Sequence, residues 1–185
     1  MNTISHWAIS FTLAVLLILP MLVTAQDSAT QEYVPYRQNA ISHISSLNSG
    51  DQAILQAKRA QVDDIAQREL GRSLDGIVAH DLSVLQDLLD RKIVTPDQRL
   101  TLQAMGVVLG DLYVRQGTFH WVSYTDDLGK SLAVQIGKTG EVLFPVTMIS
   151  RLVEAGIDID VEHIYEHGLN TARAMAEEDD LETVD

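Results

Sequence analysis

The chain has 185 residues, 46% of them hydrophobic and 21% charged, with no cysteine and a formal charge of −13. The length and apolar content suit one globular domain and exclude a wholly disordered or collagen-like chain. The lack of cysteine excludes a disulfide scaffold, a Cys-ligated zinc or iron–sulfur centre and a cysteine nucleophile. The acidity sets the chain against phosphate backbones, so no nucleic acid is expected as a partner.

Residues 1–25 contain no Asp, Glu, Lys or Arg. An apolar run from Ala8 to Leu19 is broken by Pro20. Val23 and Ala25 then supply the small side chains that a signal peptidase inspects, and Gln26 and Asp27 open a polar stretch. This is the layout of a secretory signal peptide. It predicts a mature chain from Gln26 that is periplasmic or secreted. The run also approaches the roughly 20 residues of a membrane span. The alternative is therefore an uncleaved N-terminal anchor, which would be the only membrane attachment. Residues 26–48 are polar with scattered Tyr33, Tyr36 and Ile41, and read as an arm that docks loosely on the domain.

Residues 49–176 are expected to form a single α+β domain. A first helix opens at Ser49, with Gln52 completing a capping box and Gly71 as its stop. A second carries Leu74, Ile77, Val78, Leu82, Leu85, Leu88 and Leu89 as an apolar stripe. A third is expected to begin with Thr95 as N-cap, Pro96 at the first position and Gln98 closing the box. Its inward face is Leu102, Met105, Leu109, Leu112 and Tyr113. Gly106 and Gly110 sit inside this helix, where each costs about 1 kcal/mol relative to Ala. Close approach of another backbone is the expected compensation.

After Gly117 the period falls to two. Phe119, Trp121, Val122 and Tyr124 mark a strand. Leu132, Val134 and Ile136 mark a second and Val142–Phe144 a third, joined by turns at Asp126–Gly129 and Gly137–Gly140. Pro145 starts a helix that Gly156 ends, and a last helix begins near Asp160. Residues 177–185 read as a solvated acidic tail. The expected fold is a helical layer on a three-stranded antiparallel meander, followed by two C-terminal helices.

Several stretches resemble a bacterial family known only as domain-of-unknown-function family 3806. They are Met105-Gly106-Val107-Val108-Leu109-Gly110-Asp111, then Trp121-Val122, Asp126 or Asp127 with Gly129, Ala133, and Phe144-Pro145-Val146-Thr147-Met148-Ile149-Ser150-Arg151-Leu152-Val153-Glu154. The resemblance spans Leu102 to about Gly168. It implies a compact domain found in exported and cytoplasmic bacterial proteins, and brings no activity or catalytic residues with it.

His163-Ile164-Tyr165-Glu166-His167 spells H-x-x-E-H. Residues four apart on a helix share a face, so His163 and His167 could hold one zinc while Glu166 activates water. Enzymes with this spacing need a third protein ligand, and the later glutamates lie in the acidic tail. Asp158, Asp160 and Glu162 offer alternating carboxylates to a hard cation, or simply favour the start of a helix. Gly129-Lys130-Ser131 and Gly137-Lys138-Thr139 look like the ends of phosphate loops, but they lack the earlier glycine and sit at hairpin turns with a solvated lysine. No G-x-S-x-G nucleophile elbow occurs. His120 reads as an exposed sheet residue, and the neighbouring aromatics as core.

From Ile157 onward there are ten acids and one base, so most of the net charge lies in the last helix and tail. The expectation is a non-enzymatic binding module of the cell envelope with a protein partner, a basic one fitting best, and no cofactor. The alternatives are a zinc hydrolase using His163, Glu166 and His167, or a small-ligand or cation sensor using the sheet face or Asp158 and Asp160.

Overall fold

The computed structural model describes residues 42–182, so the predicted signal peptide and residues 26–41 of the predicted arm lie outside the described residues. The elements are β1 (His43–Ser46), α1 (Ser49–Leu70), α2 (Val78–Asp90), α3 (Arg99–Val114), β2 (Phe119–Asp126), β3 (Gly129–Ile136), β4 (Val142–Leu143), α4 (Pro145–Glu154) and α5 (Val161–Glu182). The class is α+β, as expected, but the antiparallel sheet has four strands in the order β1-β2-β3-β4 rather than three. The additional strand comes from the stretch read as arm, with Ile44 opposite Tyr124 and Ser46 opposite Val122. β1 reads His-Ile-Ser-Ser, and one apolar residue in four gives no periodic signal.

Two helix starts differ from expectation. α1 is capped by Asn48, not Ser49. Asn48 Oδ1 accepts the Asp51 N–H at 2.9 Å, and Asp51 accepts the Asn48 N–H at 3.2 Å, which is a capping box shifted by one residue. α3 starts at Arg99, beyond a turn closed by the Gln98 N–H on the Thr95 carbonyl at 3.0 Å. The Thr95 hydroxyl bonds the side chains of Asp97 and Gln98, so it has no helix N–H to cap. Leu74 and Ile77 likewise precede α2 instead of lying in it. The stop at Gly71 is as expected, with φ of 65° and its N–H on the Gln67 carbonyl.

α3 is the centre of the domain. Its predicted inward residues Leu102, Met105, Leu109, Leu112 and Tyr113 are all buried. A Cβ on Gly106 would lie 2.4 Å from the Pro145 carbonyl oxygen and 2.6 Å from that of Val146. The first turn of α4 therefore rests directly on the α3 backbone. A Cβ on Gly110 would lie 2.2 Å from the Trp121 ring. Both glycines serve packing, the first against backbone and the second against an indole.

The sheet presents two different faces. Phe119, Trp121, Val134, Ile136 and Leu143 pack with the helices in the main core. Val122, Tyr124, Ala133 and Val142, with Ile44, form a second cluster to which no described helix residue belongs. Lys130 is not the solvated turn lysine expected. Its Nζ donates to both oxygens of Asp51 at 2.6 and 2.8 Å, tying the start of β3 to the α1 cap. α5 runs to Glu182, so helix continues into the stretch expected as tail.

Candidate functional site

The acidic end of the chain is organised at the start of α5. Asp160 caps the helix by accepting the His163 N–H at 3.1 Å. Gln86 of α2 then latches this start in place. Its Nε2 donates to the Ile159 carbonyl at 3.2 Å, and its Oε1 accepts the Val161 N–H at 2.9 Å. The apolar side of α5 explains the contact, since Val161 and Tyr165 are buried in the main core.

A groove of about 420 Å³ lies between α2 and this segment. Ala79, Leu82 and Ile159 give it apolar lining, and Asp87, Asp160 and Glu162 give it carboxylates. Asp87 is taken by Arg72 at 2.7 Å and Arg91 at 3.7 Å. Asp160 and Glu162 pair with no cation among the described residues, and both are exposed. Two carboxylates without counter-charge beside aliphatic surface make a place for the long aliphatic stem and charged head of Lys or Arg.

His163 and His167 lie on the outward face of α5, as their spacing predicts. Their rings are near parallel, 6.4 Å between centroids, and both are exposed, as is Glu166. Among the described residues these three do not bring their ligand atoms within 4.8 Å of one another. Asp158 is exposed, and Asp160 does the work of a cap.

A second cleft, of about 400 Å³, opens between α1, the loop before α2, and α3. On one wall Arg59 donates Nε and Nη2 to Asp111, the latter at 2.6 Å, and Trp121 Nε1 donates to the same carboxylate at 2.8 Å. The bond to Asp111 holds the Arg59 guanidinium above its ordinary range. On the other wall Asp81, 2% exposed, accepts the backbone N–H groups of Asp75 at 3.1 Å and Gly76 at 2.9 Å. His80 Nδ1 stands 3.1 Å from Asp81 Oδ1 and 3.3 Å from Asp75 Oδ1. Sequence reasoning missed this grouping, because Asp75 lies in a loop and no helical spacing relates it to His80. Of the α2–α5 groove, Asp160 and Glu162 stood out in the sequence, but the α2 residues were missed, since Gln86 and Ile159 are brought together only by the tertiary fold.

Tyr113 and Tyr165 stack at 5.0 Å within the core, and the Tyr113 hydroxyl donates to the Ile164 carbonyl at 3.3 Å. Burial pushes the Tyr113 hydroxyl well above the usual range, so it acts as a packed donor and not as an acid or base at neutral pH. Among the described residues no helix is long and apolar enough to cross a membrane.

Residues 81–165 match the model of a family described as Domain of unknown function (DUF3806). The match begins in the first turn of α2, contains α3, the β2–β4 meander and α4, and ends near the start of α5. No curated protein matches the sequence. Among solved structures, a crystal structure from Bacteroides thetaiotaomicron VPI-5482 is similar, with a TM-score of 0.65 at 14% sequence identity. The likeness covers 70% of this chain and 48% of that one, so this chain spans about half the length of its structural relative. At that identity the likeness concerns the fold alone.

Proposed function

We propose that the chain is a non-enzymatic binding module of the bacterial cell envelope that receives a basic segment of a partner protein in the groove between α2 and α5. The observation that supports this reading is the pair of carboxylates, Asp160 and Glu162, which meet no cation beside the aliphatic lining of Leu82 and Ile159. A lysine or arginine of the partner would lay its stem on the aliphatic surface and place its head between the acids. Glu166, exposed farther along α5, and the acid-rich sequence after it would steer the approach, raising the association rate more than the affinity. The proposed export of the chain rests on the pattern of residues 1–25.

The test is binding of a fluorescent lysine- and arginine-rich peptide to residues 26–185. Asp160→Asn with Glu162→Gln should weaken binding about tenfold and flatten its salt dependence. Unchanged affinity and unchanged salt dependence would place recognition elsewhere. A zinc hydrolase centred on His163, Glu166 and His167 is the alternative. It is favoured by one observation, the two imidazoles sharing an exposed face, and predicts zinc-dependent hydrolysis that His163→Gln abolishes.

A further inference from the structure

We propose that Asp75, His80 and Asp81 form a site for a divalent transition metal ion at the wall of the second cleft. Each of the three side chains offers one ligand atom, and these atoms all lie within 4.8 Å of one another. His80 Nδ1 is 3.3 Å from one carboxylate oxygen and 3.1 Å from the other. A tetrahedral ion with ligands at about 2.0–2.1 Å separates its ligand atoms by roughly 3.3 Å. The spacing in the structure is thus already that of two edges of a coordination tetrahedron.

Charge points the same way. Asp81 is 2% exposed, and buried carboxylates need a compensating positive group. Among the described residues the side chain that pairs with Asp81 is His80, while the Arg115 guanidinium lies against Gly76 in the same cleft. Two carboxylates converging on one imidazole make a donor set that suits a divalent ion. The backbone holds the trio ready. Gly76, at φ of 80°, turns the loop so that Asp81 can take the N–H groups of Asp75 and Gly76. The ion would not need to organise its own ligands. Asp75 and Asp81 both line the cleft, so the remaining coordination positions would open into about 400 Å³ of space where water or a small ligand fits. One imidazole with two carboxylates selects first-row ions such as Zn²⁺, Co²⁺ or Mn²⁺ over Ca²⁺, which favours more oxygen ligands. This site is separate from the α2–α5 groove and from the histidine pair on α5.

The test uses residues 26–185 with Co²⁺ and Zn²⁺ as probes, followed by cobalt visible absorption and native mass spectrometry. One equivalent of metal is expected, with the absorption of a four- or five-coordinate ion. His80→Gln should weaken binding more than tenfold, and Asp75→Asn, whose side chain is 45% exposed and therefore safer for folding, should do the same. His163→Gln with His167→Gln should leave the equivalent in place. If both His80→Gln and Asp75→Asn keep the ion while the α5 double variant loses it, the metal belongs to α5 and the proposal is wrong. Absence of any bound ion at micromolar concentration overturns it too. So does a fold that His80→Gln destabilises equally with and without metal, since His80 would then be only a hydrogen-bonding partner of the loop.

Discussion

Replacing Gly106 by Ala puts the packing of α3 against α4 to a direct test. In an exposed helix the change would stabilise by about 1 kcal/mol, through propensity alone. Here the new methyl would stand 2.4 Å from the Pro145 oxygen, 2.6 Å from the Val146 oxygen and 2.8 Å from the Val146 carbonyl carbon. Ordinary contact begins near 3.5 Å, so α4 must retreat by roughly 1 Å. The obstacle is main chain, so no rotamer change relieves it. Retreat loosens Ile149, which is fully buried, and Met148, which packs on the same core. Overpacking of this kind costs about 1–3 kcal/mol, and the backbone origin of the clash puts Gly106→Ala at the upper end. The net expectation is a loss of roughly 2 kcal/mol after the propensity gain. For a domain of this size that lowers Tm by about 4–8 °C. Urea and thermal unfolding followed by circular dichroism would measure it. A Gly106→Ala chain as stable as the parent, or more so, would mean that α4 does not sit with its carbonyls on α3.

Other outcomes follow from the same contacts. Gly76→Ala should cost about 1–2 kcal/mol because φ is 80° there, and adding Arg115→Ala should not restore the loss, although the Arg115 guanidinium is the group the new methyl would meet; full rescue in a urea melt would show that crowding dominates. Asp111→Asn should cost about 1–3 kcal/mol, read as a lower urea midpoint, since it weakens the acceptor for both Arg59 and Trp121. The Asp51 carboxyl is held below its usual range chiefly by the Lys130 bond, against the opposing effect of burial. Its contribution to stability should therefore be complete above about pH 4, the unfolded pKa, and be lost as pH falls through the lower folded value. Lys130→Met should shrink that acid-limb loss, and an unchanged acid profile would remove Asp51 from the account.

The sequence announced whatever was local and periodic. The inward stripe of α3, the hairpin at Asp126–Gly129, Pro145 opening α4 and Gly71 closing α1 could all be read from spacing and turn chemistry. Capping was legible only approximately. Asn48-Ser49-Gly50-Asp51-Gln52 contains two overlapping boxes, and the one that wins uses Asp51, which Lys130 neutralises from the start of β3. Thr95 and Gln98 stand at box spacing but make a turn, since Asp97 competes for the hydroxyl. What stayed hidden is long-range. Lys130 shows as a turn residue until Asp51 is placed beside it, and His80 as an isolated histidine until the loop folds Asp75 back. The α2–α5 groove is a product of Gln86 reaching Ile159 and Val161 across most of the domain.

The position of β1 has a consequence for how the chain reaches this structure. The β2–β4 meander is made of neighbours in sequence and can close early, whereas β1 must wait for a partner about 80 residues downstream. Whatever the order of the helices, the loop closed by the β1–β2 pairing encloses all of α1, α2 and α3. Its closure entropy is repaid by only four residue pairs and by Ile44. β1 should therefore be the last strand to add in folding and the first to leave. Its amides should exchange with solvent deuterium by local opening, well before those of β2 and β3. Until β1 docks, the unpaired edge of β2 stays open to other strands, and that interval is when the domain is most exposed to mispairing.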